Sequence, residues 1–431
     1  MKWLVSGGRI LDPASGRDEV ADILLEGGSI KMTGREIKAG REFRKVDASG
    51  LLVVPGLIDM HCHLREPGFE YKETVASGCA AAVKGGITSV MCMANTDPVN
   101  DCASVTAHIL EKASQAALAR VYPIGAITKG MLGESLAEMG ELAHSGCVAV
   151  SDDGRPVHSG GIMRRAIEYS AAFGLLVIDH AEDLSIAGEG VMHEGFVSTM
   201  LGLEGIPTAA SLSEIARNIA LVREFGGRIH IAHISTHSGA ELIRHAKGEG
   251  LAITAETCPH FFTLDHEAVR GFDTNAKVNP PLRTAEDVEG IIESLANGTI
   301  DVIATDHAPH HRDEKDREFD LAPFGISGFE TALALTLGLV QKGRLSLMDA
   351  ISKWTVSPAS IVGLPGGSLA DGAPADVTLV DMDAQWTVDP ALFLSKGKNT
   401  PFAGMKLKGE VANTFVGGRM VYDRKRGIIS D

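Results

Sequence analysis

At 431 residues the chain is long enough for two or three domains or for one large α/β unit with a sizeable core. Acidic residues outnumber basic ones, 56 to 40, giving a formal charge of -16 without any Lys/Arg-rich run; this argues against a nucleic-acid or membrane partner and requires a local cationic pocket for any anionic ligand. Six scattered cysteines (Cys62, Cys79, Cys92, Cys102, Cys147, Cys258) without a C-x-x-C pair read as reduced core residues, and no signal-peptide core or membrane-length apolar run occurs, so a cytoplasmic protein is expected.

From residue 1 to about 54, short alternating segments (Trp3-Leu4-Val5, Ala21 to Glu26, Ser29 to Met32) are broken by glycine and turn residues and read as strands. The far end has the same texture in Asp376 to Asp381 and Asn413 to Tyr422. Neither end has enough apolar surface to fold well alone. Residues 1-54 and 366-431 are therefore expected to pair into one small β-sandwich domain flanking the middle, 55-365.

The middle opens on the apolar run Leu51 to Ile58, read as a buried strand, which leads into Asp59-Met60-His61-Cys62-His63-Leu64-Arg65. Alternate strand residues share a face, so His61 and His63 project together while Cys62 points elsewhere. Two converging imidazoles suit a divalent metal such as zinc; a hydrogen-bonded core pair is the alternative. Further apolar segments follow at Ile87 to Ala94, Val121 to Ile127, Cys147 to Val150, Leu175 to Ile178, Arg228 to His233, Leu251 to Glu256 and Ile300 to Thr305. Between most of them lie stretches of helical period such as Thr74 to Lys84, Val105 to Ala119 and Ser211 to Phe225. Eight strands with intervening helices favour a closed (β/α)8 TIM-type barrel, whose active site lies at the C-terminal strand ends.

Those ends carry His61 and His63 on the first strand, Asp153 after the fourth, His180 after the fifth, His233 after the sixth and Asp306 after the eighth. Any one of them has an ordinary explanation, a buried histidine as a hydrogen-bonded core group or an Asp after a strand as a helix cap. Six ionisable groups at one mouth are costly to bury without a metal or counter-charge. Nitrogen and carboxylate donors without cysteine suit zinc, and six exceed what one tetrahedral ion needs.

The run Pro55-Gly56-Leu57-Ile58-Asp59-Met60-His61-Cys62-His63-Leu64-Arg65-Glu66-Pro67-Gly68 resembles the amidohydrolase superfamily, and within it the dihydroorotases of the longer bacterial type. The likeness continues through Met93 to Thr96, Asp152-Asp153-Gly154, Asp179 to Glu182, His233 to Thr236, Lys277 to Arg283, Ala304 to His310 and Phe324 to Gly328. It implies a zinc held by His61, His63 and Asp306, a second held by His180 and His233, and Asp153 bridging them. Many superfamily members bridge their metals with a carboxylated lysine on the fourth strand. Here Cys147-Val148-Ala149-Val150-Ser151 contains none, and the resemblance gives that place to Asp153.

It also implies reversible interconversion of N-carbamoyl-L-aspartate and dihydroorotate in pyrimidine biosynthesis, with Asp306 carrying the proton. Substrate contacts are implied at His63, Leu64, Arg65, Asn95, Asn279, His310, Phe324 and Gly325. Arg65 offers a planar fork to the ring carboxylate; its alternative is a surface ion pair with Glu66 or Glu70. Asn95 and His310 match the family's other carboxylate contacts, and Asn279 its ring contact. The charged stretch His311 to Asp320 reads as a solvated loop placed to act as a lid. The rival readings are a hydantoinase, dihydropyrimidinase or allantoinase acting on a neutral ring, and a non-catalytic homologue serving a partner enzyme. Homo-oligomerisation and association with aspartate transcarbamoylase are compatible with the resemblance.

Overall fold

The computed structural model describes residues 1–429. Eight parallel strands, Leu57–Cys62, Ile87–Cys92, Arg120–Gly125, Ala149–Val150, Leu176–Asp179, Ile229–Ile231, Ile253–Thr257 and Val302–Ile303, pair side by side in sequence order. Nearly all their residues are buried, because helices cover one face and the barrel interior the other; that double burial is why they read as continuous apolar runs rather than as alternation. Among the outer helices, Val75–Lys84 starts at a capping box formed by Thr74 and Ser77.

The first and eighth strands form no ladder, so the barrel is nearly rather than fully closed. Side chains and single contacts span the seam. Cys62 and His307 form a parallel bridge, and the His63 N–H donates to the His307 carbonyl at 2.8 Å. Below them the buried Asp59 carboxylate accepts from the Thr305 N–H at 2.9 Å and the Thr305 hydroxyl at 2.5 Å. Burial pushes the Asp59 carboxyl up to about 7, and the two Thr305 donors oppose that rise.

The apolar run Leu51 to Ile58 is two strands, not one. Leu52–Pro55 belongs to a separate sheet and Leu57–Cys62 to the barrel. The break falls at Gly56, where a Cβ would sit 2.2 Å from the Thr88 hydroxyl oxygen of the neighbouring strand, so a side chain there would collide with it.

That second sheet has nine strands drawn from both ends of the chain. Lys2–Asp12 pairs antiparallel with Arg17–Glu26 and parallel with Leu52–Pro55; beyond Leu52–Pro55 come Val377–Thr387 and Lys406–Val416. The sheet coils strongly. Trp3 and Phe415 lie on strands separated by two others, yet their rings meet edge to face at 5.5 Å. Its inner surfaces thus enclose their own core, including Val5, Ile23, Leu25, Val377 and Leu379. Arg120 of the barrel grips Asp376, immediately before Val377–Thr387, with two hydrogen bonds, 2.7 and 3.1 Å.

Part of the C-terminal region leaves the sheet. Between Val377–Thr387 and Lys406–Val416 the chain makes an excursion to the barrel mouth, where the Asn399 amide donates to the carbonyls of Ala308 and Gly325 and its oxygen accepts from the His310 N–H. Its backbone-directed amide satisfies groups that the strand-end loops leave open. No helix among the described residues is long and apolar enough to cross a membrane. All six cysteines are unpaired, and only Cys102 is partly exposed.

Candidate active site

The strand ends bring His61, His63, Asp153, His180, His233 and Asp306 together, each no more than 5% exposed. Asp153 is the hub. Its Oδ1 lies 3.5 Å from His61 Nε2, 3.3 Å from His180 Nδ1 and 3.4 Å from His233 Nε2, and its Oδ2 lies 3.5 Å from His63 Nε2. Asp306 Oδ1 is 3.1 Å from His63 Nε2 and 3.6 Å from His61 Nε2. Two sets of donor atoms are close enough to hold one ion each: His61, His63 and Asp306, and His61, Asp153 and His233. His180 adjoins the second set through Asp153 and an edge-to-face contact with the His233 ring at 4.5 Å. His233 and Asp306 both hold positive φ, 34° and 44°, a backbone cost concentrated where the side chains must be aimed.

The residues fit a metal centre. His61 Nε2 and His180 Nδ1 are fully buried and make no hydrogen bond of their own, although each faces the shared centre. Burial alone would keep these imidazoles neutral. Asp153 and Glu256 instead hold His61 well above its ordinary range, and Asp153 and Glu182 push His180 up to about 10. Asp153 is held well below the usual carboxylate range, against the effect of burial, by His61, His180 and His233. The pocket favours positive charge around one carboxylate, which is what a cation supplies.

Outside this cluster the other ring nitrogens of three of the four histidines are engaged, while His233 Nδ1 is buried without a partner. His61 Nδ1 donates to Glu256 Oε1 at 2.7 Å, His63 Nδ1 to Asn95 Oδ1 at 2.9 Å and His180 Nε2 to Glu182 Oε2 at 3.3 Å. Neither glutamate was given a role from sequence. The available signal for Glu256 was a carboxylate ending the mainly apolar segment Leu251 to Ala255.

A cavity of about 300 Å³ opens over the cluster and is lined also by Arg65, Asn95, Asn279, His310, Phe324 and Gly325. No lysine lines it. Arg65 donates through Nε to the Pro309 carbonyl at 3.2 Å, and its Nη2 lies 3.3 Å from His310 Nε2. No carboxylate pairs with it among the described residues. Glu66 accepts from the Val75 N–H and Glu70 from the Gly68 N–H instead. Asn279 donates its amide to Glu182 at 2.9 Å and keeps a buried oxygen without a partner. His310 Nε2 donates to the Phe324 carbonyl at 2.8 Å, and burial pushes this imidazole down to about 3, so it stays neutral.

Two expected contacts differ. Leu64 lies outside the cavity; the strand ends at Cys62, and beyond it the Leu64 side chain is buried against Gly78 while Arg65, at φ 62°, reaches the cavity. Gly325 lines the cavity, but its N–H is given to the Lys277 carbonyl and its carbonyl to Asn399. The stretch after His310 is also less solvated than its charge implies: Arg312–Lys315 is a short helix, and Lys315 and Phe319 are buried.

The chain matches the amidohydrolase family over residues 52–421. It is 56% identical over 422 residues to the dihydroorotase of Syntrophotalea carbinolica, covering 98% of this chain and 99% of that one. It is 54% identical over 424 residues to the dihydroorotase of Geobacter metallireducens, covering 98% and 100%. Among solved structures it is similar to the L-hydantoinase (dihydropyrimidinase) from Arthrobacter aurescens, with a TM-score of 0.89, 26% identity and coverage of 100% and 98%.

Proposed function

The chain belongs to the amidohydrolase family, in its dihydroorotase group, and from that premise we propose that its cavity interconverts N-carbamoyl-L-aspartate and (S)-dihydroorotate plus water using two zinc ions. It is a cyclic amide hydrolase, and the proposal extends to its place, the third step of pyrimidine biosynthesis in the cytoplasm. The observation that carries the substrate assignment is Arg65, a guanidinium without a carboxylate partner on the same cavity as the metal ligands. A neutral hydantoin ring gives such a cation nothing to bind, whereas dihydroorotate brings an exocyclic carboxylate.

Charge balance supports two ions. Asp153, Asp306, Glu182 and Glu256 are buried, and none has Lys or Arg within ion-pair distance among the described residues. Four negative charges match two divalent cations, which would replace the histidine protons that balance them in the metal-free site. His61, His63, Asp153, His180, His233 and Asp306 would hold them, and zinc there supplies Lewis acidity and a nucleophile at neutral pH.

The side chains divide the remaining work. Arg65, with Asn95 and His310 beside it, binds and orients the carboxylate, which fixes the ring relative to the ligand cluster. The open oxygen of Asn279 accepts from a ring N–H. Asp306 takes the proton of the attacking water and hands it to the leaving ring nitrogen, and in ring closure it runs the transfer backwards. The test follows both directions of the reaction with and without a chelator, beside hydantoin and allantoin. Chelator-sensitive turnover of dihydroorotate alone is expected; turnover of the neutral rings without dihydroorotate would overturn the assignment.

A further inference from the structure

Glu256, near the end of the seventh barrel strand, is fully buried and lies behind the ligand cluster, outside the cavity. Its Oε1 is 2.7 Å from His61 Nδ1, and its Oε2 is 3.2 Å from His230 Nε2. His230 is itself held, through Nδ1, by the Thr254 hydroxyl at 2.8 Å. The carboxylate is therefore pinned from the first, sixth and seventh strands, and its rotamer has no freedom left. His61 is correspondingly fixed. With its Nδ1 proton given to Glu256, the lone pair falls on Nε2, the atom common to both sets of candidate ligands and without a hydrogen bond of its own.

A core glutamate whose only task was to neutralise a protonated imidazole would need no such aim. The reacting groups of the cavity do not use Glu256 either, since no line from it reaches substrate except through His61. We propose that Glu256 is a positioning residue that sets the tautomer, ring orientation and donor strength of His61 and thereby the affinity of the metal centre. This rests on the two-zinc reading above. A carboxylate on the far nitrogen makes an imidazole a stronger ligand, and losing such a partner costs roughly 10- to 100-fold in metal affinity.

The experiment uses the full-length protein and reads metal directly. Zinc affinity is measured by competition with a chromophoric chelator, and ligand geometry by the visible absorption of the cobalt-substituted protein. Glu256→Gln keeps the shape and an acceptor for His61 but loses the charge; affinity for at least one equivalent is expected to fall about 10-fold, and about 100-fold in Glu256→Ala, with an altered cobalt spectrum. Unchanged melting of the metal-free variants separates this from loss of fold. If Glu256→Ala unfolds, Glu256→Gln, which keeps the shape of the side chain, decides alone. Wild-type protein that binds no metal would overturn the proposed function. Wild-type protein that binds two equivalents, with variants that bind both as tightly and give the same spectrum, would overturn this inference alone.

Discussion

His63 Nε2 lies 3.1 Å from Asp306 Oδ1, a contact between residues 243 apart that exists only because the first and eighth strands meet. The same seam is held lower down by Asp59 and Thr305, so aiming the His63 and Asp306 side chains and bringing the barrel's ends together are one structural event.

Asp306→Asn keeps the shape at that seam and removes a charge and a proton acceptor. Turnover of dihydroorotate is expected to fall by about 10³-fold or more, the upper range for losing a general acid–base group together with a ligand charge. Absorbance assays at saturating zinc check this; retention of a tenth of wild-type kcat would remove Asp306 from the proton path.

Arg65→Met removes the one cation that faces the cavity from this strand end. Losing charge-assisted hydrogen bonds of about 1.5–3 kcal/mol corresponds to a rise in KM for dihydroorotate of roughly 10- to 100-fold. Substrate-saturation kinetics measure it, and an unchanged KM would show that Arg65 does not hold the carboxylate.

The barrel and the gathering of six ionisable residues at its mouth were legible because parallel strands buried on both faces leave apolar runs, and ionisable residues at their ends stand out against them. Arg65 was placed by extending the parity of His61 and His63, but the strand ends at Cys62 and Arg65 turns at φ 62°, so the placing of Arg65 and Leu64 depends on a backbone turn that alternation does not encode. Glu256 had no partner at any informative spacing, since His61 and His230 lie 195 and 26 residues away. Gly56 looked like part of a strand because its crowding comes from Thr88, across the sheet rather than along the chain. The excursion around Asn399 carries no periodicity, and its role lies in backbone groups it meets only in three dimensions.

Metal removal has a pH signature. In the metal-free protein His180 is pushed up to about 10 from an ordinary 6.5 by Asp153 and Glu182, which outweigh burial. A raised pKa of this kind contributes stability in full below 6.5 and loses it as pH rises through 10. Zinc binding runs the other way, because at higher pH the imidazoles need not shed protons to coordinate. The gap in Tm between zinc-loaded and chelated protein is therefore expected to widen from about pH 6 to about pH 9, with zinc at a hundred times its Kd adding about 2.7 kcal/mol. Scanning fluorimetry across that range checks it; a gap that narrows would contradict the assigned ligands.

Lys315 ties down the charged stretch that follows His310. It is 6% exposed, and its ammonium donates to the carbonyls of Thr274 at 2.8 Å and Pro323 at 2.7 Å, with no carboxylate in ion-pair reach among the described residues. Thr274 returns a bond to the Lys315 carbonyl, and Lys277 clasps the carbonyls of Phe319 and Asp320. Burial, and then Lys277, push Lys315 down to about 7. A lysine lowered in this way contributes its full stability only above its ordinary 10.5 and loses it as pH falls toward 7, so the segment should loosen on the acid side. Lys315→Met removes its two short carbonyl bonds, about 1 kcal/mol each, which above pH 10.5, where the lysine carries no charge penalty, corresponds to a roughly 30-fold larger open population of the segment. Limited proteolysis between residues 311 and 320 is expected to speed up accordingly and to lose its dependence on pH, while the melting of the barrel stays nearly unchanged. Because His310 heads the segment and lines the cavity, KM for dihydroorotate should rise with the loosening. Equal cleavage rates in the variant and the wild type would mean that the loop is held by its other contacts and that Lys315 does not govern its order.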